Sequence, residues 1–471
     1  EVDRSLFSIH SNKDFYEWIS QNIIDKSKLL IDPWLFSKKT FSRIENLIKA
    51  SGAKICLCKK NPIDIIWEDQ PKKPSSKSFL HDVTFSGKDY YDKIKDIQKE
   101  LIKQECDYFI ISSLDSIAWV LNLRGSDIEH TPLNFAYLVI KAHGNASLYS
   151  NLIKFDNSIV SNFIPYVNII SQDELEKDIS QIPKSCIVGL DEEKTPYWFV
   201  SKLNHSDIKV KLINDPCYYS KSIKNETELK GAINSNIRDG VSVTKFLFWL
   251  KKEVDIYNTD EINAADKLFE LRKRNKNFFS LSFKTISAIG AHSALPHYRV
   301  TNQNKYNFSE NEIYLFDSGA QYFDGTTDIT RTVILGKPNE EHKDRYTRVL
   351  KGHIALAKLE FTEKTRGSEI DYIARKSLKE INCDYDHGTG HGIGSFLCVH
   401  EGPQRISKPS NNNDAHLKPG MILSNEPGYY KAGEYGIRIE NLIIVKKMRE
   451  KLYFETISIA PLDRDLIDEN L

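Results

Sequence analysis

At 471 residues, 40% apolar and 28% charged, the chain has an ordinary globular composition and is long enough for about three domains. Lys plus Arg and Asp plus Glu each total 65, so net charge gives no reason to expect nucleic acid or a membrane surface as a partner. No apolar run approaches the roughly 18 residues of a membrane span, and seven cysteines without CxxC spacing point to reduced thiols in a cytoplasmic compartment.

Residues 1–78 read as part of a first α/β domain, with LLIDPWLF and AKICLC as strands and TFSRIENLIKA as a helix between them. The chain opens on Glu1 rather than Met, without a signal-peptide pattern, and is expected to be processed or trimmed. The Pro/Lys/Ser segment from Pro71 to Ser78 reads as a linker. A second domain over 79–222 combines an amphipathic helix near 87–104 with the strands DYFIIS and FAYLVI. The third domain, 223–471, opens where Asn225 and Glu228 have capping-box spacing before a helix ending near Val254. Helices near 260–273, 342–359 and 368–381 alternate with strands, an α+β pattern of sheet covered by helices. Trp119 and Trp249 have apolar neighbours at helical spacing and read as core.

The chemistry concentrates in the last third. Asp317, Asp328, His391, Glu426 and Glu440 are spaced as a cage for two hard divalent metal ions. The carboxylates fall in two pairs, in LFDSGAQYFDGTTDITRT and LSNEPGYYKAGEYGIRIEN, and each pair brackets a glycine-containing reversal. Side chains alternate faces along a strand, and directly opposed positions lie about 5 Å apart. Asp317 and Asp328 oppose each other only if the turn is a wide loop centred between Tyr322 and Phe323. A tight turn on Asp324-Gly325 would put them out of step. Glu426 and Glu440 oppose each other if the turn centres on Gly433. Both hairpins are expected to present their acids from adjoining parts of one sheet. Oxygen-rich ligation with one nitrogen favours Mn²⁺, with Zn²⁺ and Co²⁺ as alternatives. Four ionised carboxylates repel one another, whereas two divalent cations balance them and leave a positive field for a bridging hydroxide.

Histidines surround the cage in HGTGHGIGSFLCVHEGP and ALPHYRV. His387 and His391 are four apart, but the interleaved glycines argue for a loop or irregular strand rather than the helical zinc motif. His297 and His400 are candidates to orient a scissile carbonyl and stabilise its oxyanion. Arg438, two before Glu440, shares that strand face and would hold a metal-binding carboxylate in place. His292, His342 and His353 receive no role.

DSGAQYFDGTTDITRT, HGTGHGIGSFLCVHEGP, NEPGYY and GIRIEN together resemble aminopeptidase P, the Xaa-Pro aminopeptidase family of the pita-bread metallopeptidases, which also include prolidase and methionine aminopeptidase. IIWEDQP, SLDSIAWVLNLRGSDIEHTP and the stretch from INAADKL to LSFKTIS extend the likeness to the three-domain eukaryotic cytosolic type. The resemblance implies a pita-bread catalytic domain behind creatinase-like α/β domains, and a dinuclear manganese centre on Asp317, Asp328, His391, Glu426 and Glu440. It places substrate-facing histidines at His297, His387 and His400, with Arg438 beside them and Glu426 as proton shuttle. It also implies a homodimer, and removal of the N-terminal residue from peptides with proline second. Compared with that family, the opening domain is short and the C-terminus stops early. Arg124, Asp127 and His130 in NLRGSDIEH match a family signature but also suit an ordinary structural role. Two other readings share the fold: prolidase, which accepts only dipeptides, and a ligand-free pita-bread domain that binds protein without catalysis. The intact ligand set argues against the second.

Overall fold

Short Ile/Leu/Val-rich runs separated by polar turns build two units, and a computed structural model of the chain describes residues 12–409 and 414–471. The first unit comprises the chain up to Lys77, Tyr91–Ile117 and Phe135–Pro216. The second takes Ser78–Tyr90, Ala118–Asn134 and Cys217–Leu471. Two short segments of the middle region thus belong to the same unit as the C-terminal half.

In the first unit the strands Lys209–Leu212, Ile187–Leu190, Tyr108–Ile111, Tyr137–Lys141, Ala146–Ser150 and Val167–Ser171 form one mixed sheet in that order. Ile110, Val139, Trp198 and Phe199 are buried in its core, and Trp34 stacks on Trp198 at 4.2 Å between ring centres. Strands Lys28–Ile31 and Lys54–Leu57 pair in parallel. Between them, helix Lys38–Ile48 is capped by the Ser37 hydroxyl and buries Phe41, Ile44 and Ile48, spaced as one face. These elements stand where the sequence places them. Residues 71–78 carry no helix or strand, and no helix among the described residues is long and apolar enough to cross a membrane.

Along its main segment the second unit carries helices α1 (Glu226–Lys252) and α2 (Glu261–Lys273), then strands β1 (Phe278–Leu281), β2 (Ile286–Ile289), β3 (Glu312–Ser318), β4 (Ala320–Tyr322), β5 (Gly325–Thr326) and β6 (Ile329–Leu335). Helix α3 (Glu340–Ala357), strand β7 (Glu360–Phe361) and helix α4 (Gly367–Lys379) follow. The last strands are β8 (Gly390–Gly392), β9 (Glu401–Ile406), β10 (Ile422–Asn425), β11 (Gly428–Lys431), β12 (Tyr435–Arg438), β13 (Asn441–Met448) and β14 (Lys451–Thr456). Asn225 caps α1 with the complete reciprocal box to Glu228. Strands β2, β3 and β6 form one sheet, and β7, β14, β13, β10, β8 and β9 another.

Two hairpins set the chemistry. In the second, Gly428 faces Arg438 and Asn425 faces Asn441. The same register on both sides puts Glu426 opposite Glu440, with the reversal centred on Gly433 at φ 77°. That is the expected geometry. The first hairpin differs. Asp317 faces Thr330, and Tyr322 faces Gly325, so Phe323 and Asp324 form a tight two-residue turn instead of a wide loop. Tertiary contacts decide this. Phe323 packs against Phe279 and Phe396, Asp324 pairs with Arg238 of α1, and a Cβ on Gly325 would lie 2.5 Å from Ser235 Oγ. Gly325 is thus required by the close approach of α1. Asp328 lies diagonally from Asp317, about 7–8 Å away in an antiparallel pair, rather than opposite it.

The acids also arise from different sheets rather than one. Those sheets are tied by Glu440 N–H donating to Thr330 O at 3.2 Å and Arg438 N–H donating to Thr332 Oγ1 at 3.0 Å.

The buried segments from the middle region are held by charge-assisted hydrogen bonds. Strand pair Phe79–Leu80 and Leu123–Arg124 is antiparallel, and the Arg124 guanidinium donates to Phe396 O at 2.7 Å and Ala118 O at 2.5 Å. Arg124 is therefore structural. On the helices, Arg272 of α2 makes two bonds of 2.8 Å to Asp239 of α1, both side chains being buried, and Tyr322 donates to the same carboxylate at 2.8 Å. Removing one member of such a pair leaves an uncompensated buried charge. Asp239→Ala is expected to cost about 3–5 kcal/mol in urea unfolding of the second unit; a loss below about 1 kcal/mol would contradict that account.

Candidate metal centre and substrate cavity

Asp317, Asp328, His391, Glu426 and Glu440 line one cavity of about 480 Å³, together with His297, His387, His400 and Arg438. Every sequence-predicted site residue is therefore in one place.

His391 sits on β8 between two glycines. A Cβ on Gly390 would lie 2.1 Å from Ser424 O, so only glycine lets β8 lie this close to β10. The backbone N–H of His391 donates to Ser424 Oγ at 2.9 Å, and that hydroxyl donates to Glu426 Oε1 at 3.0 Å. The imidazole Nδ1–H donates to Gly392 O at 3.1 Å, which fixes the tautomer and leaves the Nε2 lone pair facing the cavity. Nε2 lies 3.5 Å from Asp328 Oδ2 and 3.3 Å from Glu426 Oε1. Asp328, His391 and Glu440 each present one ligand atom within 4.8 Å of the others.

Around these groups the wall is polar and largely satisfied. Glu440 accepts from the Thr330 hydroxyl at 2.8 Å. Asp317 accepts from Arg438 at 2.8 Å, and Arg438 also donates to Tyr430 Oη at 2.8 Å and Pro296 O at 3.3 Å. Asp317 Oδ1 and Asp328 Oδ1 are buried without a hydrogen-bond partner. Burial raises Asp328 well above the usual carboxylate range, with Glu440, Asp317 and Glu426 adding to it, and raises Glu440 likewise through burial and Glu426. Glu426 is pushed up to about 8, chiefly by burial. Burial opposes the charge on Arg438, but Tyr430, Asp317 and Glu426 hold it above its ordinary value.

Lone pairs therefore crowd together with a deficit of positive charge. Either protons or cations must sit among them, and the donor set of four carboxylates and one imidazole suits hard divalent metals. The two unpartnered aspartate oxygens have lone pairs to offer such ions.

The histidines differ in setting. His387 donates through Nδ1 to Gly388 O at 2.8 Å and accepts from Tyr430 Oη at 2.8 Å. Burial and the Arg438 charge push it down to about 4, so it is neutral at pH 7. His391 is pushed down to about 3 by burial and by His400. His400 packs edge-on against His391 at 4.3 Å and is lowered by burial. His297 is exposed.

Sequence reading missed Tyr430, which links His387 to Arg438, and Thr330, which steadies Glu440. Thr330 was recoverable from alternation, two residues beyond Asp328. It also missed Arg375 of α4, which bonds Asp371, Tyr385 O at 2.6 Å and His387 O at 2.9 Å from behind the glycine loop. Asp371 in turn accepts from the Thr389 hydroxyl at 2.5 Å, and Thr389 O accepts from Glu426 N–H at 2.8 Å.

Residues 233–447 match the profile of metallopeptidase family M24, and residues 69–228 match the creatinase/prolidase N-terminal domain. A probable Xaa-Pro aminopeptidase P from Paracoccidioides brasiliensis is 37% identical over 98% of this chain and 79% of its own length. One from Botryotinia fuckeliana is 38% identical over 97% and 72%. Among solved structures, the X-prolyl aminopeptidase from Caenorhabditis elegans, described as a cytosolic enzyme with a di-nuclear active site, aligns with a TM-score of 0.91 at 32% identity, covering 98% of this chain and 76% of that one. The prolidase from Pyrococcus horikoshii aligns at 0.64 and 26% identity, covering 79% of this chain and 99% of its own.

A carboxyl whose folded pKa is raised binds more protons folded than unfolded, so its contribution to stability is lost as pH rises through the folded value. For Glu426 that window runs from the ordinary carboxylate range to about 8. Chelator-treated protein is expected to melt at a lower temperature at pH 8 than at pH 6. Saturating Mn²⁺ should shrink the difference, because cations take the place of the protons. A melting temperature that rises with pH in the chelated protein would refute the charge deficit.

Proposed function

This chain belongs to the Xaa-Pro aminopeptidase P family of M24 metallopeptidases, and from that membership and the cavity's donor set we propose how its residues release the first residue of a peptide whose second is proline. It is a metal-dependent hydrolase acting on the Xaa-Pro bond. The observation that carries the reading is the meeting of His391 Nε2 with Asp328 and Glu426 oxygens at 3.5 and 3.3 Å beside two orphaned aspartate oxygens.

Asp317, Asp328, His391, Glu426 and Glu440 would hold a pair of divalent metal ions, and Mn²⁺ is our choice for this oxygen-rich set. Such ions supply Lewis acidity and make hydroxide available from water near neutral pH. Glu426 takes the proton released at the attacking water and delivers it to the proline nitrogen as the bond breaks; its Oε1 is oriented by the Ser424 hydroxyl for that transfer. His400 and His297 bind the substrate and donate toward the carbonyl oxygen of the first residue, where negative charge develops. His387, kept neutral and locked through Tyr430, lines the substrate side with Arg438, whose charge also holds Asp317 in place.

Proline at the second position has no N–H and restricts the residue before it. A site that asks for no hydrogen bond from that nitrogen accepts what ordinary peptidases reject. We further propose a homodimer working in the cytoplasm, supported by the family likeness, by the description of the Caenorhabditis elegans relative as cytosolic, and by seven cysteines none of which is in a disulfide. The segments 1–78, 79–222 and 223–471 remain our reading of the domain succession, with the third bearing the catalytic groups.

With Mn²⁺ present, the protein is expected to release arginine rapidly from Arg-Pro-Pro and to act more slowly on the dipeptide Ala-Pro. Cleavage confined to the dipeptide would move the assignment to prolidase. Glu426→Gln is expected to lower kcat about a hundredfold to ten-thousandfold, and His400→Ala about a hundredfold to a thousandfold, with metal content checked by elemental analysis. Activity within a few-fold of the parent in either variant would remove that residue's role.

A further inference from the structure

Beside the catalytic cavity lies a larger one of about 690 Å³ that the reaction at the metal ligands leaves unused. Its apolar side is built by one face of α2, where Ile262, Ala265, Asp266 and Phe269 follow helical i, i+3, i+4 and i+7 spacing, and by β1, which contributes Phe278 and Phe279, while the segment through Asn302 and Gln303 gives it a polar side. Phe269 and Phe278 meet edge-on at 6.1 Å. The two cavities share Lys284, whose ammonium donates to Val300 O at 3.4 Å. Neighbouring residues divide between them: Ile286 and Arg299 face the catalytic side, Thr285 and Val300 the other.

An aminopeptidase substrate has a single residue on the amino side of the scissile bond. A cavity that continues from the catalytic one can take either the side chain of that residue or the chain that follows the proline. The Lys284 ammonium at the junction selects the second, since it attracts the carbonyl oxygens and terminal carboxylate of that chain and repels the ammonium carried by the first residue. We propose that this second cavity is a subsite for the part of the substrate beyond proline and selects a large apolar or aromatic side chain at the third or fourth residue. The inference rests on the aminopeptidase reading and adds a substrate class to it: oligopeptides of the form Xaa-Pro followed by apolar residues.

Burying an aromatic side chain in such a site gives about a tenfold to hundredfold gain in affinity. The metal-loaded full chain is expected to cleave Ala-Pro-Ala-Phe with kcat/KM at least about tenfold above Ala-Pro-Ala-Ala, the difference lying mainly in KM. Ala265→Trp, which fills the cavity, and Phe269→Ser, which removes part of its aromatic wall, should each bring that ratio close to one. Titration calorimetry of the metal-free protein with Pro-Ala-Phe and Pro-Ala-Ala should show the same preference, without reference to turnover. Equal rates on the two tetrapeptides, or a preference that persists in both variants, would overturn the subsite while leaving the aminopeptidase intact. If neither tetrapeptide is cleaved, the aminopeptidase reading fails, and equal affinities for the two tripeptides would then remove the subsite as well. A change of molecular mass in sedimentation on Ala265→Trp would make this face an interface between copies and also overturn it.

Discussion

Mutual repulsion among buried carboxylates is the constraint around which the second unit is organised. Two unit charges 4 Å apart interact by about 4 kcal/mol where the effective dielectric is near 20, and Asp317, Asp328, Glu426 and Glu440 share one cavity with Arg438 as the nearest fixed cation. One buried guanidinium cannot offset four acids. Burial raises Asp328, Glu440 and Glu426 above their ordinary range, and the neighbouring carboxylates add to that rise; the charge imbalance is what makes the cavity a ligand set rather than a cluster of salt bridges.

Holding such groups together takes covalent and backbone rigidity, and two hairpins of different design supply it. One places its glutamates face to face across a glycine reversal. The other staggers its aspartates by two residues, so one hairpin presents an opposed pair and the other a diagonal pair. Hydroxyls from Thr330 and Ser424 then steady the carboxylates that the main chain has aimed.

Much of this was legible in the sequence because the signals were local. The Glu426 and Glu440 register followed from one demand, a positive φ at Gly433, and the irregular strand around His391 followed from its glycines. The stagger of Asp317 and Asp328 was not legible, because the turn between them is chosen by partners remote in sequence: the aromatic neighbours of Phe323 and the α1 residues that press on Asp324 and Gly325. For the same reason no reading along the chain could reveal that 78–90 and 118–134 join the C-terminal unit. Tyr430 was invisible as a partner of His387, since only the folded hairpin brings it there.

Arg375 carries a further meaning. A stretch with four glycines in seven residues, Gly388 to Gly394, has more conformational freedom to lose than one of ordinary composition. One guanidinium grips two carbonyls of its approach and a carboxylate that in turn holds Thr389. The entropy of ordering that stretch is therefore settled when the protein folds, so an arriving peptide meets imidazoles already aimed, and its own binding energy stays available for bond cleavage.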